Sequence, residues 1–166
     1  EVLSLTVNGL SGTVPSSLGS LAMLSKLDFH YNKLSGTIPS SMGLLSNLAS
    51  MTMYGNKLTG SIPFSFGKLS GLATILLSQN ELSGTIPSSL GSLTKMVDFQ
   101  FHDNKLTGTI PSSLGFLTRL QQVYLEANML SGSIPSALSS WSKLIFLNMN
   151  TNLLTEATTA VPGSIV

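Results

Sequence analysis

Residues 32–43 read NKLSGTIPSSMG, and close copies return as NKLTGSIPFSFG at 56–67, NELSGTIPSSLG at 80–91 and NKLTGTIPSSLG at 104–115. The period is 24 residues, and it runs through the chain without slipping by a single position. A fixed period of roughly 20 to 50 residues is the signature of stacked repeats, in which each unit packs only on its neighbours. The chain is therefore predicted to be a solenoid.

Seven columns of the repeat are apolar from coil to coil. Counted from the asparagine, they are represented in one coil by Leu27, Phe29, Leu34, Ile38, Met42, Leu45 and Leu48. The two columns before the asparagine are two residues apart, which is the period of a strand. Identical stacked coils would place these strands side by side in a parallel sheet, about 4.8 Å apart.

Three recurrent residue types are expected to shape the corners of each coil. An asparagine follows each strand and is expected to bond backbone groups through its side-chain amide; it recurs at Asn8, Asn32, Asn56, Asn80, Asn104, Asn128 and Asn152. A glycine four positions later, such as Gly36, allows a positive φ angle or close backbone approach. The Ile-Pro step then enforces an extended backbone, and a second glycine, such as Gly43, closes a polar turn or 3₁₀ segment.

The consensus LxxLxLxxNxLxGxIPxxLGxL, as in KLDFHYNKLSGTIPSSMGLL at 26–45, resembles the plant-type leucine-rich repeat. The resemblance implies an α/β solenoid: a right-handed leucine-rich-repeat superhelix with a concave parallel β-sheet, a second small sheet, and 3₁₀ or short helical convex turns. Similar proteins are the ectodomains of receptor-like kinases and receptor-like proteins, and the polygalacturonase-inhibiting proteins. Such proteins bind peptides, steroids or other proteins, largely through the concave and lateral faces.

Two parts of the chain are expected. Residues 1–154 form the solenoid, with about six to seven repeats, and residues 155–166 form a degenerate last repeat or a C-terminal tail. In this last part Glu156, Thr158 and Thr159 stand where glycine, isoleucine and proline are expected. The caps that stacked repeats need for solubility are missing, so the chain is expected to be a fragment of a longer protein.

Composition removes several classes of function. The net charge is +1 and only 9% of residues are charged, so there is no basic stripe for nucleic acid. No apolar run approaches the ~18 residues of a membrane-spanning helix. Cysteine is absent, which excludes thiolate metal sites and a nucleophilic thiol. No cofactor and no metal are expected.

The outward positions of the strands vary between coils and form the candidate partner-binding face. Aromatic side chains with polar tips suit recognition because they offer contact area at a low ordering cost. The alternative is that exposed strand positions are polar for solubility alone. The candidate residues are Lys26, Asp28, His30, Tyr31, Tyr54, Asp98, Gln100, His102, Asp103, Tyr124, Glu126 and Phe146.

One column places Ser78, His102 and Glu126 in consecutive coils, in the order nucleophile, base and orienting group. An open sheet, however, supplies neither an oxyanion hole nor a pocket that excludes water. A surface His-Glu pair is therefore the preferred interpretation, and no catalytic residue is predicted. A metal site at His102 with Glu126 or Asp103 would lack the ligands that close a coordination sphere.

The sequence favours a non-enzymatic module that binds a protein or peptide across the concave face, outside the cell or at its surface. The alternative is a structural or assembly subunit within a larger complex, membrane-associated or organellar. A third is ice binding by two Ser/Thr ladders, which start at Ser11 and Thr13. Mixed serine and threonine spoil a uniform ice-binding surface, and the ladders also fit the ordinary consensus of the second sheet.

Overall fold

Residues 1–155 are described by the structure, a computed structural model, as a stack of coils that builds two parallel sheets. The principal sheet consists of β1 (Val2–Ser4), β3 (Lys26–Asp28), β5 (Ser50–Thr52), β7 (Thr74–Leu76), β9 (Asp98–Gln100), β11 (Gln122–Tyr124) and β13 (Phe146–Asn148). The degenerate segment predicted at 155–166 lies, from residue 156 on, outside the described residues.

The second sheet and the turns complete each coil. The second sheet consists of β2 (Ser11–Thr13), β4 (Lys33–Thr37), β6 (Lys57–Gly60), β8 (Glu81–Thr85), β10 (Lys105–Gly108), β12 (Met129–Ser133) and β14 (Leu153–Thr155). The turns are 3₁₀ segments: η1 (Ser16–Ser20), η2 (Ser40–Leu44), η3 (Phe64–Lys68), η4 (Ser88–Ser92), η5 (Ser112–Phe116) and η6 (Ser136–Ser140). This alternation of parallel strands and 3₁₀ turns confirms the predicted fold class.

The register of the principal sheet follows the sequence period. Leu27 pairs with Met51, and Met51 pairs with Ile75, so each column of the repeat becomes a straight row across the strands. A property of one column is therefore a property of one line on the surface. The second sheet joins residues 22 apart instead, so that Thr37 is paired with Thr59.

The core is the set of apolar columns stacked on one another. Leu45, Leu48, Met51 and Met53 are all completely buried within it. Trp141 takes a leucine column in the sixth coil, where it is buried and donates its indole N–H to the carbonyl oxygen of Leu114 at 2.9 Å. That bond satisfies the one polar atom of the ring, so the tryptophan packs like its apolar counterparts.

From Asn32 on, each corner asparagine connects two coils through its side-chain amide. Asn80 Nδ2 donates to the carbonyl oxygens of Leu77, Ser78 and, one coil back, Met53, at 3.0–3.2 Å. Its Oδ1 accepts the backbone N–H of Leu58 at 3.0 Å. Because these groups are buried, the ladder satisfies backbone donors and acceptors that water cannot reach.

Glycine occupies its two columns for different physical reasons. Gly36 has φ +72°, in the left-handed region that glycine adopts without strain. Gly43 instead makes room for the next coil, since a Cβ atom there would lie 2.6 Å from the carbonyl oxygen of Ser65. The second glycine column is thus required by coil-to-coil packing, which the prediction of a simple turn did not include.

Candidate functional site

The outer face of the principal sheet carries the residues two, four and six positions before each asparagine, together with the residue directly before it. The residue directly before it is left-handed in each coil, with φ between 51° and 54° at its non-glycine members: Val7, Tyr31, Gln79, Asp103, Ala127 and Thr151. Tyr31 and Asp103 of this column were predicted as site residues, but its left-handed backbone was not predicted. The single glycine of this column, Gly55 with φ +67°, is the sequence feature that could have indicated this conformation.

The first cluster on this face consists of Lys26, Asp28, His30, Tyr31 and Tyr54. The rings of His30 and Tyr54 stack with centroids 4.7 Å apart, and Tyr31 meets Tyr54 edge to face at 5.0 Å. The Tyr31 ring lies over Gly55, because a Cβ atom there would be 2.5 Å from its Cδ1. The missing side chain at position 55 therefore leaves the space that Tyr31 occupies.

Charge within the first cluster is paired. Asp28 is buried, and its carboxylate lies 2.6 Å from His30 Nδ1 and 3.6 Å from Lys26 Nζ. Burial raises the pKa of Tyr54 above its ordinary value, with smaller contributions in the same direction from Tyr31 and Asp28. The Tyr54 phenol is therefore a neutral hydrogen-bonding group at physiological pH.

The second cluster lies on the coils that contain β9, β11 and β13, and its members are Asp98, Gln100, His102, Tyr124, Glu126 and Phe146. The Tyr124 ring stacks on Phe146 at 4.7 Å and lies 5.7 Å from the His102 ring. Gln100 Nε2 donates to Asp98 Oδ1 at 2.9 Å. Burial raises the pKa of Asp98, and the bond from Gln100 opposes that shift.

Two buried polar atoms of the second cluster have no hydrogen-bond partner among the described residues: Nδ1 of His102 and Oε2 of Glu126. Asp103, the remaining candidate, is exposed on the left-handed column. In the coil between the two clusters Ser78 is only 3% exposed, and Thr52, in the coil of Tyr54, is also buried. The twelve candidate residues thus fall into two aromatic clusters with Asp103 beside the second.

The geometry offers little for catalysis or metal binding. Ser78 is buried, and no hydrogen bond between described residues joins it to His102 or joins His102 to Glu126. Among residues 1–155 no group of three histidine, cysteine, aspartate or glutamate side chains could hold a metal ion. The arrangement of this face can provide aromatic contact and hydrogen bonding.

A separate apolar feature lies on the 3₁₀ turns and was missed in the sequence. Phe64 and Phe116 are 71% and 70% exposed, and Leu44 is also exposed. All three depart from the serine or lysine found at the same positions in other coils. This departure from the repeat is the sequence feature that could have indicated the apolar surface. The sequence-based predictions had not treated the turns as a contact surface.

The repeat itself matches a known family. The model that describes the leucine-rich repeat matches residues 23–45, 47–69, 71–93 and 119–141, more than half of the chain. The chain belongs to the leucine-rich-repeat family. This match confirms the predicted resemblance. A comparison with curated proteins found no significant match.

Solved plant receptor structures share this solenoid. The chain is 34% identical to the Arabidopsis receptor kinase HAESA, in a complex with the peptide hormone IDA and the co-receptor SERK1, with a TM-score of 0.90. It is 33% identical to a TDR receptor, with a TM-score of 0.86. These matches cover 93% and 94% of this chain but 26% of each receptor chain. The chain therefore spans about a quarter of the receptors' length.

A third structure, the BIR3–SERK2 complex from Arabidopsis, is 41% identical over 68% of this chain and 61% of the other, with a TM-score of 0.65. The leucine-rich-repeat chain is thus similar to receptor ectodomains. None of the helices among residues 1–155 has the length and apolar character needed to span a bilayer.

Proposed function

We propose that this leucine-rich-repeat chain is a non-enzymatic module that binds a peptide or protein partner across the outer face of the principal sheet. The observation that carries the proposal is the placement of its amphipathic rings. All three tyrosines and both histidines of the chain lie on this face, in the two clusters. Rings with polar tips are typical of the residues that dominate binding energy at interfaces.

The form of the face also supports an extended partner. Tyr54 of the first cluster and Glu126 of the second are three strands apart, about 14 Å at the usual strand spacing, and Ser78 in the intervening column position is buried. A single extended segment could contact both. The peptide hormone bound by HAESA and the complex formed by BIR3 and SERK2 are precedents among similar proteins.

Because those relatives are receptor ectodomains, we propose an extracellular or cell-surface location. An organellar, membrane-associated location is the alternative, and it would accompany a function as a subunit of a larger assembly.

A display library of random linear peptides tests this proposal. The wild-type protein should enrich specific peptides, and the triple variant Tyr54→Ala, His102→Ala, Tyr124→Ala should lose them. A matched control, Phe64→Ser with Phe116→Ser, changes exposed rings on the turns and should keep them. Thermal unfolding would establish that both variants are folded. Equal retention of the peptides by the triple variant would contradict the proposal.

A second candidate function, a subunit held within a larger assembly, is favoured by the exposed apolar residues Leu44, Phe64 and Phe116 on the turns. Single exposed apolar residues are ordinary, but three on one side of a solenoid could contribute to a lateral contact. Under this alternative the Phe64→Ser and Phe116→Ser variant would fail to enter the complex, whereas the triple variant would enter it normally. Ice binding finds less support, because residues paired across the second sheet, such as Thr13 and Ser35, come from different hydroxyl ladders.

A further inference from the structure

The two clusters differ in how their histidines are satisfied. His30 and His102 occupy the same column, three coils apart. Two residues before His30 stands Asp28, which pairs with its Nδ1 at 2.6 Å. Two residues before His102 stands Gln100 instead, and its amide is engaged by Asp98. The substitution at this one position leaves the Nδ1 atom of His102 without a partner among the described residues.

The neighbouring coil differs in the same column. Beside His30 lies Tyr54, which covers the imidazole by stacking, but beside His102 lies Glu126. The ion pairs formed among the described residues do not include Glu126, and its Oε2 is buried without a partner. Buried polar atoms are nearly always paired with protein groups, water or a ligand, so two such atoms in adjacent coils can take hydrogen bonds from a bound partner.

The chemistry of that partner follows from what the two atoms can accept. A carboxylate is only an acceptor, and a neutral imidazole accepts at the nitrogen that carries no proton. A partner with several N–H donors on one rigid group can bond both. The flat stack of Tyr124 and Phe146, 4.7 Å apart, lies beside them and favours a planar cation. A guanidinium meets all three conditions, since it is planar, charged and carries five N–H donors.

Access requires only side-chain motion. His102, Tyr124 and Glu126 are each partly buried, on an open sheet with no loop above them among the described residues. A rotation of the Glu126 side chain therefore presents its carboxylate to a ligand while the backbone stays in place. Asp103 is exposed nearby and adds a second negative charge to the approach.

We propose that Glu126, His102 and the Tyr124–Phe146 stack form a subsite for an arginine side chain of the bound peptide or protein. This inference rests on the proposed function, because it assigns one contact of that partner. An extended chain advances about 3.3 Å per residue. The arginine should therefore lie about four residues from the side chain that contacts Tyr31 and Tyr54, since Tyr54 and Glu126 are three strands, about 14 Å, apart.

The probe for this subsite is N-acetyl-arginine amide, compared with N-acetyl-citrulline amide, which has nearly the same shape without the charge. Ring resonances of the two histidines are followed by NMR, with His30 as the internal reference. The arginine probe should shift His102 saturably with a millimolar Kd, and citrulline should not. Equal responses to the two probes on the wild-type protein would overturn the subsite.

Variants refine this result. Glu126→Gln should weaken the arginine probe at least fivefold, whereas Glu81→Gln should not, because that exposed carboxylate pairs with Lys105 away from this face. A Glu126→Gln variant that is folded and binds as the wild type does would also overturn the subsite.

The failure of the subsite and the failure of the proposed function give different results. If library peptides bind the outer face but carry no arginine at a fixed position, the subsite is wrong and the binding function stands. If the triple variant retains every peptide, the binding function itself is wrong, whatever the response to the arginine probe.

Discussion

The Nδ1 atom of His30 lies 2.6 Å from the Oδ1 atom of Asp28. The two residues are two positions apart on one side of the chain, and Asp28 is buried. The bond therefore compensates a carboxylate that would otherwise be poorly solvated, and it fixes the ring that stacks on Tyr54. The first cluster is for this reason a preformed surface, in contrast to the unsatisfied second cluster.

Removing that histidine should cost stability. His30→Ala is expected to destabilise the fold by about 1 to 3 kcal/mol, because it leaves the buried Asp28 carboxylate with only Lys26 nearby. His102→Ala is the matched control in the same column and should cost clearly less, since its Nδ1 has no partner within residues 1–155 to lose. Urea unfolding of the two variants makes the comparison, and equal losses would contradict the pairing.

The asparagine ladder should be strongest in the interior of the stack. Asn80→Ala removes four hydrogen bonds to backbone groups, and a loss of about 3 kcal/mol is expected. Asn8→Ala removes bonds only to Leu5 and Thr6, in an exposed place, and should cost under about 1 kcal/mol. Denaturation midpoints measure both, and a comparable loss at the two positions would contradict a buried ladder.

Coil spacing should depend on the second glycine column. Gly43→Ala places a Cβ atom 2.6 Å from the Ser65 carbonyl oxygen, so the two coils must separate, and a loss of about 2 to 4 kcal/mol is expected. Gly9→Ala is the control, because no atom of the part of the chain that the structure describes lies within 4 Å of the added Cβ. Thermal unfolding distinguishes them. A wild-type melting temperature for Gly43→Ala would show that the coils are not in tight contact there.

The left-handed column gives a reciprocal pair of substitutions. Ala127→Gly should stabilise the protein by about 1 kcal/mol or less, because glycine adopts the φ of 52° without strain. Gly55→Ala should do the opposite and also displace the Tyr31 ring, 2.5 Å from the new Cβ atom. Melting temperatures report the first effect, and loss of Tyr31–Tyr54 nuclear Overhauser contacts reports the second. Unchanged contacts in Gly55→Ala would place Tyr31 elsewhere.

Stability should depend on pH through Asp98, whose pKa is raised by burial. An acid with a higher pKa in the folded state favours folding below its unfolded pKa, and this contribution is lost as the pH rises through the folded pKa. Asp98→Asn should therefore match the wild type near pH 3 and be more stable at pH 7, where the wild-type carboxyl is ionised. The gain should be under about 1 kcal/mol, since the side chain is only partly buried.

Urea unfolding at the two pH values measures this gain. Asp103→Asn, at an exposed position on the same face, serves as the control for the substitution itself. A gain for Asp98→Asn that is larger at pH 3 than at pH 7 would have the wrong sign.

The sequence predicted the solenoid and the principal sheet because every apolar column is repeated in register, and Leu27, Met51 and Ile75 then had to align. It did not predict the left-handed column, because Tyr31, Gln79 and Ala127 share no side-chain property; the backbone path imposes that conformation on all of them. Nor could it show which polar groups pair. The partner of His30 depends on Asp28 two positions away, and that of His102 is missing because Gln100 turns to Asp98.

The outer face of the principal sheet is the proposed binding site for a partner. It is tested most directly by adding a library-selected peptide and following ring resonances by NMR, since every tyrosine and histidine reports on this face, while Phe64 and Phe116 report on the turns. Shifts are expected at Tyr31, Tyr54 and Tyr124, with the resonances of Phe64 and Phe116 unchanged. Shifts confined to Phe64 and Phe116 would contradict it.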